Sequence, residues 1–318
     1  MWKALIADDD ELFRDLTLEI LKDRAHCDVA MDGEEALTFF HDAENKNQKY
    51  DFILLDISMP KSDGGEVLMQ IRETESERGV LPALRTPVFM ITIHETMRTK
   101  AFYIGCDGYF VKPIEVVDLF KAIEQKLDMR EWVRKVFVES MKSGADLKEY
   151  TDIVLKNIKT KAGFDSIALR VRDKNGDFPY FHIDNLPPDF IISENHILKP
   201  EDPEGGNFID CMCSNIIKRK YDPSLVFFSE KGSFWVNNLS DVLANPPEKL
   251  KPWICKRDGC KIAGFNSVGI FPLIIDDEVI GLLQLSDRKN GMFAADKIRE
   301  YELLASSIAT TLKEKLPK

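Results

Sequence analysis

Residues 51–65, DFILLDISMPKSDGG, decide the fold of the first part of this chain. The apolar run 52–55 predicts a short buried strand that delivers one carboxylate, Asp56, to its end. Pro60 and the turn at 63–65 then lead the chain into a helix. A strand that is apolar on both faces is typical of a parallel sheet covered by helices, and in such sheets the chemistry lies beyond the carboxyl ends of the strands. Asp56 therefore stands where an acid can react, although an aspartate at this place could equally cap the following helix.

The composition indicates a soluble globular protein. The 318 residues suggest two domains, and 44% of them are hydrophobic and 31% charged. A net charge of −11 argues against non-specific binding of nucleic acid, because no broad basic surface is available to neutralise phosphates. No apolar run approaches the roughly 20 residues that span a bilayer, and the amino terminus has no signal core. We therefore expect a cytoplasmic protein that binds neither nucleic acid nor membrane, with its six cysteines reduced unless they bind metal or sense redox state.

The first part of the chain alternates short apolar runs with helical patterns. Leu12, Leu16 and Ile20, for example, recur at helical spacing after the first run. This alternation predicts an α/β domain with a doubly wound, five-stranded parallel sheet. The predicted strands cover residues 3–7, 27–30, 52–55, 88–91 and 109–111.

Four of the predicted strands end in polar side chains. These side chains are Asp8 and Asp9 after the first strand, then Asp56, Thr92 and Lys112. Beyond one edge of the sheet the carboxylates could share an octahedral Mg²⁺ with a few waters. The metal would reduce their mutual repulsion, so that Asp56 could act as a nucleophile and form an acyl phosphate. Thr92 and Lys112 could then stabilise the phosphoryl oxygens.

Four segments resemble, in order, the motifs of the receiver domain of bacterial response regulators. The segments are ALIADDDE (4–11), DFILLDISMPKSDGG (51–65), VFMITIH (88–94) and GCDGYFVKPI (105–114). The resemblance covers residues 1–128 and implies a flavodoxin-like receiver. It also implies a two-component phosphorelay, in which a partner histidine kinase supplies a phosphoryl group in the presence of Mg²⁺.

The resemblance assigns the acidic residues of the site. It implies that Asp56 is the phosphoacceptor and that Asp8 and Asp9 form the acid pair that binds the metal with it. The backbone carbonyl of Ser58 is implied as a further ligand. Asp10, the third acid of the cluster, is expected on the surface.

Three further residues receive roles from the same resemblance. Thr92 and Lys112 would sense the phosphoryl group, and Tyr109 would be the aromatic switch residue. Apart from self-phosphorylation by a phosphodonor and auto-dephosphorylation, no enzymatic activity is expected.

Two connections depart from the family pattern. The stretch from Thr92 to Lys112 is shorter than usual, which predicts a trimmed fourth helix. Many receivers use that helix for signalling, so the resemblance does not imply the usual mode of dimerisation for this chain. The connection over residues 73–87 is longer than usual, and the sequence offers no reason for its length.

A helical pattern continues beyond the receiver segments. It runs from residue 116 to Met141, until Ser143 and Gly144 break it, so residues 129–145 are predicted to be a helical linker. Two such helices could pair as a short coiled coil and form a homodimer, although the apolar spacing is irregular for heptads. The alternative is a helix that packs its apolar face on the next domain.

Residues 146–318 are predicted to form an α+β domain with an antiparallel sheet. Its predicted elements are helices at 147–161, 209–218 and 294–316 and strands at 166–172, 179–183, 233–236, 267–275 and 279–286. This order, with the hairpin FPLIIDDEVIGLLQLSD (271–287), resembles a GAF domain. The resemblance implies a sensor or dimerisation module with a small-molecule pocket between the sheet and a central excursion. The residue set of cyclic-nucleotide-binding members is missing, and the ligand is not identified.

Four of the six cysteines lie in this second domain. They are Cys211, Cys213, Cys255 and Cys260. Four thiols could form a zinc site or a redox pair, but the C-x-C spacing disfavours zinc because two such thiols on one helix would point apart. Inert packing in the core is the alternative. If the thiols sense redox state or contact a ligand, Cys213 and Cys260 are the expected pair.

Three functions are compatible with these motifs. The first is a response regulator that relays the state of Asp56 to the GAF module and acts by contact with a downstream protein, since no helix-turn-helix or basic reading helix follows the receiver. The second is a cytosolic redox or small-molecule sensor whose receiver only modulates oligomerisation. The third is a phosphatase of the haloacid-dehalogenase type, for which Asp8 and Asp10 fit the D-x-D spacing, but which leaves Asp56 without a role.

Overall fold

Two compact units make up the chain. The structure is a computed structural model that describes residues 1–93, 96–142, 146–198, 211–253 and 259–315. The units are Met1–Arg134 and Lys135–Lys318, and each contains one five-stranded sheet. None of the helices within the described ranges combines the length and the apolar composition needed to cross a membrane.

The first unit is built on a parallel sheet. Its strands are β1 (Trp2–Ala7), β2 (Ala25–Ala30), β3 (Phe52–Asp56), β4 (Val88–Thr92) and β5 (Gly108–Val111). Its helices are α1 (Glu11–Leu21), α2 (Gly33–Asn45), α3 (Gly64–Glu77), α4 (Arg98–Ile104) and α5 (Val116–Val133), with a 3₁₀ turn at Pro82–Leu84. The strand order β2-β1-β3-β4-β5, with every pair parallel, is that of the flavodoxin-like fold. The predicted architecture is confirmed, and so is the short fourth helix, which has seven residues.

Both faces of this sheet are buried, as its apolar strands require. Leu5 and Leu55 belong to the core on one side, whereas Ile6 and Leu54 belong to the core on the other. Every residue of β3 and β4 is buried. Polar groups that need water or a ligand therefore have room only beyond the strand ends.

A buried network of charges fixes the connection over residues 73–87. The Arg72 guanidinium donates from Nη1 to Glu75 Oε2 at 2.7 Å and to the Thr86 carbonyl at 2.9 Å. From Nη2 it donates to Asp107 Oδ2 at 2.9 Å and to the Gly105 carbonyl at 3.0 Å. Glu75 in turn accepts the Thr86 N–H at 2.6 Å. This one side chain joins α3, the long connection and the turn before β5.

The helical run that follows β5 reaches the second unit. Helix α5 is followed directly by a π-helical segment, Arg134–Val138, and by α6 (Glu139–Lys142). The predicted continuation of the helical pattern to Met141 is confirmed, and the division between the two units falls inside it. The predicted break at Ser143 and Gly144 lies outside the described residues.

The second unit contains an antiparallel sheet. Its strands are β6 (Ser166–Val171), β7 (Tyr180–Asp184), β8 (Phe234–Val236), β9 (Ser267–Ile275) and β10 (Glu278–Asp287), in the order β7-β6-β10-β9-β8. Its further helices are α7 (Leu147–Ala162), α8 (Pro188–Glu194), α9 (Met212–Ile217), α10 (Leu239–Ala244), α11 (Gly259–Ile262) and α12 (Ile298–Lys315), with 3₁₀ segments at Glu248–Trp253 and Ala295–Lys297. Asp276 and Asp277 form the hairpin turn with φ angles of 48° and 63°. The predicted antiparallel sheet is confirmed.

The two faces of the second sheet are covered by different helices. The long helices α7 and α12 pack on one face, and α9 packs against β9 and β10. Side chains alternate along β6, so Ala168 and Arg170 point to the opposite face from Ile167 and Leu169. Ala168 belongs to the core formed with residues of α8 and α9, such as Phe190 and Ile216. Arg170 therefore occupies a position that the strand pattern reserves for a core side chain.

Candidate functional site

The strand order brings the polar strand ends of the first unit to one edge of the sheet. Ala7 pairs with Leu55 in the register of β1 and β3, so Asp8 and Asp56 follow adjacent positions on neighbouring strands. Both carboxylates are buried, with exposed fractions of 1% for Asp8 and 6% for Asp56. Two acids at this depth require a counter-charge.

Lys112 supplies that counter-charge from the end of β5. Its Nζ atom lies 2.7 Å from Asp8 Oδ2 and 3.1 Å from Asp56 Oδ2. The same ammonium lies 4.1 Å from the centre of the Phe13 ring, which covers it on one side. The predicted convergence of Asp8, Asp56 and Lys112 is thus present in the structure.

Three carboxylates at this edge fit a divalent cation. Asp8, Asp9 and Asp56 each offer an oxygen atom, and these atoms lie within 4.8 Å of one another. Asp9 is exposed while the other two are buried, so the cluster opens to water on one side. A hard cation that keeps several waters, as Mg²⁺ does, suits such a half-open set of oxygen ligands.

The neighbouring Asp10 has a different task. Its Oδ1 atom accepts the backbone N–H of Leu12 at 3.0 Å and caps the amino end of α1. The Asp10 N–H in turn donates to Asp8 Oδ1 at 3.0 Å. Asp10 thereby helps to orient Asp8 and stays outside the metal cluster, as expected from the sequence.

Burial and pairing shift the pKa values in this cluster in defined directions. Burial raises the pKa of Asp8, and the hydrogen bond from Lys112 offsets part of the rise. For Lys112, burial alone would lower the pKa, but hydrogen bonds and charges from Asp8 and Asp56 outweigh it and raise the pKa. Lys112 therefore remains a cation at neutral pH and holds the two carboxylates together.

The loop after β3 fixes the orientation of the Asp56 carboxylate. Oδ1 accepts the Ile57 N–H at 2.7 Å and the Ser58 N–H at 3.4 Å. The Gly64 N–H donates to the Ile57 carbonyl at 2.9 Å and ties the start of α3 to this loop. Oδ1 is thus held by the backbone, while Oδ2 faces Lys112. The role of the Ser58 carbonyl as a metal ligand stays a prediction.

We expect Gly64→Ala to slow phosphorylation of the chain. A Cβ atom at residue 64 would lie 2.0 Å from the backbone oxygen of Asp56, so the loop that orients the carboxylate must shift. Misplacement of a reacting group by about 1 Å costs on the order of 100-fold in rate. The rate is measured as the gain of phosphoryl mass with acetyl phosphate and Mg²⁺.

Gly65→Ala is the matched control for this variant. Its Cβ would meet only Asp63 Oδ1 at 3.0 Å and Ile104 Cδ1 at 3.4 Å, which are the ends of side chains that can move. We expect a rate close to that of the unchanged protein. Equal rates for the two variants would show that the approach of residue 64 to Asp56 does not matter.

Thr92 lies on β4, which adjoins the strand of Asp56, and Tyr109 lies on β5, the next strand of the sheet. Thr92 ends β4 and is fully buried, and its carbonyl accepts the Lys112 N–H at 2.8 Å. Tyr109 is 4% exposed and packs in the core. Arg98 of α4 donates to the Tyr109 carbonyl at 3.1 Å, and its guanidinium lies 5.7 Å from the Tyr109 ring. The inferred switch residue is therefore inward and in contact with α4.

Comparison with known protein families also identifies the first unit as a receiver domain. The family model described as the response regulator receiver domain matches residues 4–124. These residues form a receiver domain. The match includes every residue of the acidic cluster, together with Thr92, Tyr109 and Lys112.

Relatives of the receiver domain occur in proteins of different length. "Hybrid signal transduction histidine kinase I" of Dictyostelium discoideum is 34% identical over 128 residues, which is 39% of this chain and 7% of that protein. "Transcriptional regulatory protein CpxR" of Escherichia coli K12 is 28% identical over 200 residues, which is 62% of this chain and 78% of the relative. A solved receiver domain protein (CheY-like) of Methanospirillum hungatei is 28% identical, covers 41% of this chain and 97% of its own, and has a TM-score of 0.34.

The second unit contains a cavity of about 90 Å³ on the side covered by the short helices. Cys211, Cys213 and Cys260 all line it. The expectation that Cys211 and Cys213 would point apart on a helix is wrong, because Cys211 precedes α9 as its N-cap and its Sγ atom accepts the Ser214 N–H at 3.4 Å. Cys255 lies outside the described residues.

The thiols of the cavity differ in acidity. Hydrogen bonding with Cys211 and burial raise the pKa of Cys213, and burial raises that of Cys260 to about 12. The hydrogen bond from Cys213 instead lowers the pKa of Cys211, with smaller contributions from Ser214 and Arg170. The predicted pair, Cys213 and Cys260, does share the cavity, but Cys211 is the most acidic thiol of the three. No sequence signal indicates that Cys211 caps a helix, because cysteine is not among the preferred N-cap residues.

Proposed function

We propose that this chain is a response regulator of a two-component system and that its receiver domain accepts a phosphoryl group on Asp56. The observation that carries the proposal is the contact of Lys112 Nζ with both Asp8 and Asp56 at one sheet edge. It supports the proposal because a charged donor beside the acceptor carboxylate can stabilise the oxygens of an incoming phosphoryl group.

The chemistry that we propose uses the two oxygens of Asp56 differently. Oδ1 accepts the Ile57 N–H, whereas Oδ2 faces the Lys112 ammonium. Oδ2 forms the new bond to phosphorus, and the phosphorus–nitrogen bond of a phosphohistidine breaks. The histidine of the donor keeps that electron pair and takes up a proton. The phosphoryl oxygens are then held by Lys112 and by the Thr92 hydroxyl.

A bound Mg²⁺ would neutralise charge on the carboxylates and on the phosphoryl group. Asp8, Asp9 and Asp56 would hold it, with the Ser58 carbonyl as the further ligand implied by the family resemblance. The half-open arrangement of these oxygens supports this assignment.

The proposed donor is a histidine kinase, in line with the partners that receiver domains use.

The phosphatase alternative has less support. It requires Asp10 as an acid or base, but the Asp10 carboxylate caps α1. Turnover of an aryl phosphate that is lost in Asp8→Asn and kept in Asp56→Asn would favour the phosphatase.

For the second unit we propose a GAF-like sensor or dimerisation module that responds to the state of Asp56. Its antiparallel sheet and the cavity beside it support this proposal. The output would be contact with a downstream protein in the cytoplasm and would not require DNA. The alternative is a redox or small-molecule sensor whose receiver modulates assembly, with a homodimer formed through the linker helix.

Phosphorylation of the intact protein tests the central proposal. We expect incubation of the full chain with acetyl phosphate and Mg²⁺ to add the mass of one phosphoryl group. Chelation of the metal with EDTA should prevent the gain, because the carboxylates then repel the donor. Absence of any gain with Mg²⁺ present, or an equal gain with EDTA, would contradict the proposal.

A further inference from the structure

The cavity of the second unit contains a buried cation that has no carboxylate partner among the described residues. Arg170 is 2% exposed, and its guanidinium donates to three backbone carbonyls, those of Phe178 at 2.7 Å, Asn195 at 2.9 Å and Glu194. Its planar group also stacks 3.6 Å from the centre of the Tyr180 ring. Within the part of the chain that the structure describes, no carboxylate lies within 4 Å of it, and Nε has no hydrogen-bond acceptor.

This arrangement is unusual for a buried charge. Burial of an ionised side chain is costly unless an opposite charge compensates for it, and carbonyl dipoles satisfy hydrogen bonds without neutralising the charge. Arginine also keeps its proton at any physiological pH, so the group cannot escape the cost by becoming neutral. Glu194 lines the same cavity, but its backbone carbonyl and not its carboxylate contacts Arg170. An anion that the described residues do not supply would complete the site.

The rest of the lining defines what kind of anion fits. The polar groups of the wall around Arg170 are the Gln284 amide, the Tyr180 ring, the three thiols and the side chains of Glu194, His196 and Lys261, and the rest of the wall is apolar. The apolar side chains of the wall include Phe190, Ile197, Phe234, Val242, Val268 and Ile270. A volume of about 90 Å³ exceeds the space of a single water and is smaller than that of a large metabolite. The wall therefore suits a short apolar body attached to one charged group.

We propose that this cavity binds a small organic carboxylate, whose charge pairs with Arg170 and whose apolar part lies between β9 and α10. The planar guanidinium matches the geometry of a carboxylate, which supports this class over a spherical anion. The proposal deepens the sensing role proposed for the second unit. It does not require phosphorylation of Asp56, so either proposal can fail without the other.

A matched pair of probes tests the charge requirement. Butyrate and butyramide have nearly the same shape, but only butyrate carries a charge. We expect calorimetric titration of the full chain to give saturable binding of butyrate, at least about tenfold tighter than of butyramide, because hydrogen bonds to charged groups are the stronger kind. Asp56→Asn should leave this binding unchanged.

Two variants separate the charge from the cavity. Arg170→Gln removes the charge and should abolish the preference for butyrate. Because Arg170 also holds three carbonyls, this variant could lose the fold, so Val242→Phe fills the cavity from α10 and keeps Arg170. We expect Val242→Phe to lose binding of both probes while its circular dichroism spectrum is unchanged.

Defined outcomes would overturn the proposal. Equal affinity for the two probes, no binding of butyrate at millimolar concentration, or binding that survives Val242→Phe would each do so. Butyrate that binds Cys211→Ser but not the unchanged protein would overturn it as well. In that case the thiolate of Cys211, which lines the same cavity, would be the counter-ion of Arg170.

Discussion

Asp56→Asn is expected to abolish the gain of phosphoryl mass with acetyl phosphate and Mg²⁺. The amide nitrogen that replaces Oδ2 has no lone pair available for attack on phosphorus, so no acyl phosphate forms at residue 56. Neither neighbouring acid can take over the role. Asp8 is buried and paired with Lys112 at 2.7 Å, and Asp9 is exposed to water on the outer side of the cluster.

The variant should keep its fold, which makes the loss interpretable. Lys112 retains its contact with Asp8, and an amide oxygen at residue 56 can still accept the Ile57 N–H. Asp10→Asn is the matched control, because asparagine caps a helix about as well as aspartate does. This control should be phosphorylated at the rate of the unchanged protein. A full phosphoryl gain in Asp56→Asn would place the acceptor at another residue.

Arg72→Met is expected to destabilise the receiver domain by about 3–5 kcal/mol, the cost of breaking a buried ion pair on one side only. The substitution removes the cation from Glu75, whose side chain is 2% exposed, and from Asp107, whose side chain is 13% exposed. It also frees the carbonyls of Thr86 and Gly105 from their donor. The connection between α3 and β4 then loses the side chain that holds it.

Hydrogen exchange of the full chain measures this effect locally. Amides of β4 and β5 that exchange only through opening of the receiver domain should exchange faster by a factor on the order of 100 or more, because 1.4 kcal/mol corresponds to a factor of ten. The amides of β9 and β10 in the second unit serve as an internal reference and should be unaffected.

Two further variants test whether the loss of stability in Arg72→Met comes from the buried network of charges. Arg78→Met removes a half-exposed arginine of the same region that contacts Asn45 at 2.7 Å and lies 3.7 Å from Glu44 Oε2. Because Glu44 keeps Lys49 as a partner at 3.1 Å, we expect a loss of about 1 kcal/mol or less. The double variant Arg72→Met/Glu75→Met removes the orphaned carboxylate together with its partner and should recover part of the stability. Equal exchange in Arg72→Met and Arg78→Met would contradict the assigned role of the buried network.

Much of the receiver site could be predicted from the sequence, because the carboxyl ends of parallel strands meet at one edge of the sheet. A strand that is apolar on both faces has one place for a polar side chain, its carboxyl end, and this holds for Asp8, Asp56 and Thr92 alike. The contact of Lys112 with Asp8 and Asp56 could also be predicted, because the strand order of the flavodoxin-like fold brings the ends of their strands to one edge of the sheet.

The long connection and the cavity did not follow, because their key residues have partners far away in sequence. Arg72 falls within a predicted helix, and nothing near it in sequence indicates its importance, which arises from carbonyls and acids up to 35 positions later. Arg170 stood in a predicted strand, where an isolated charge among apolar residues was the available signal. Cys211 falls within a predicted helix, but in the structure it lies at the start of that helix, where its thiol accepts a backbone N–H.

The sequence by itself determined which strands form, which side chains end them and where the phosphoryl chemistry would lie, because these depend on local patterns of burial along the chain. Only the tertiary structure decided which groups at a distance compensate one another. The Arg72 network is complete, with two carboxylates on one guanidinium, whereas Arg170 has three carbonyls and the Tyr180 ring as partners and no carboxylate in the described part of its unit. Electrostatic compensation depends on distances of a few ångströms between residues that are remote in the chain, and that information exists only in the folded molecule.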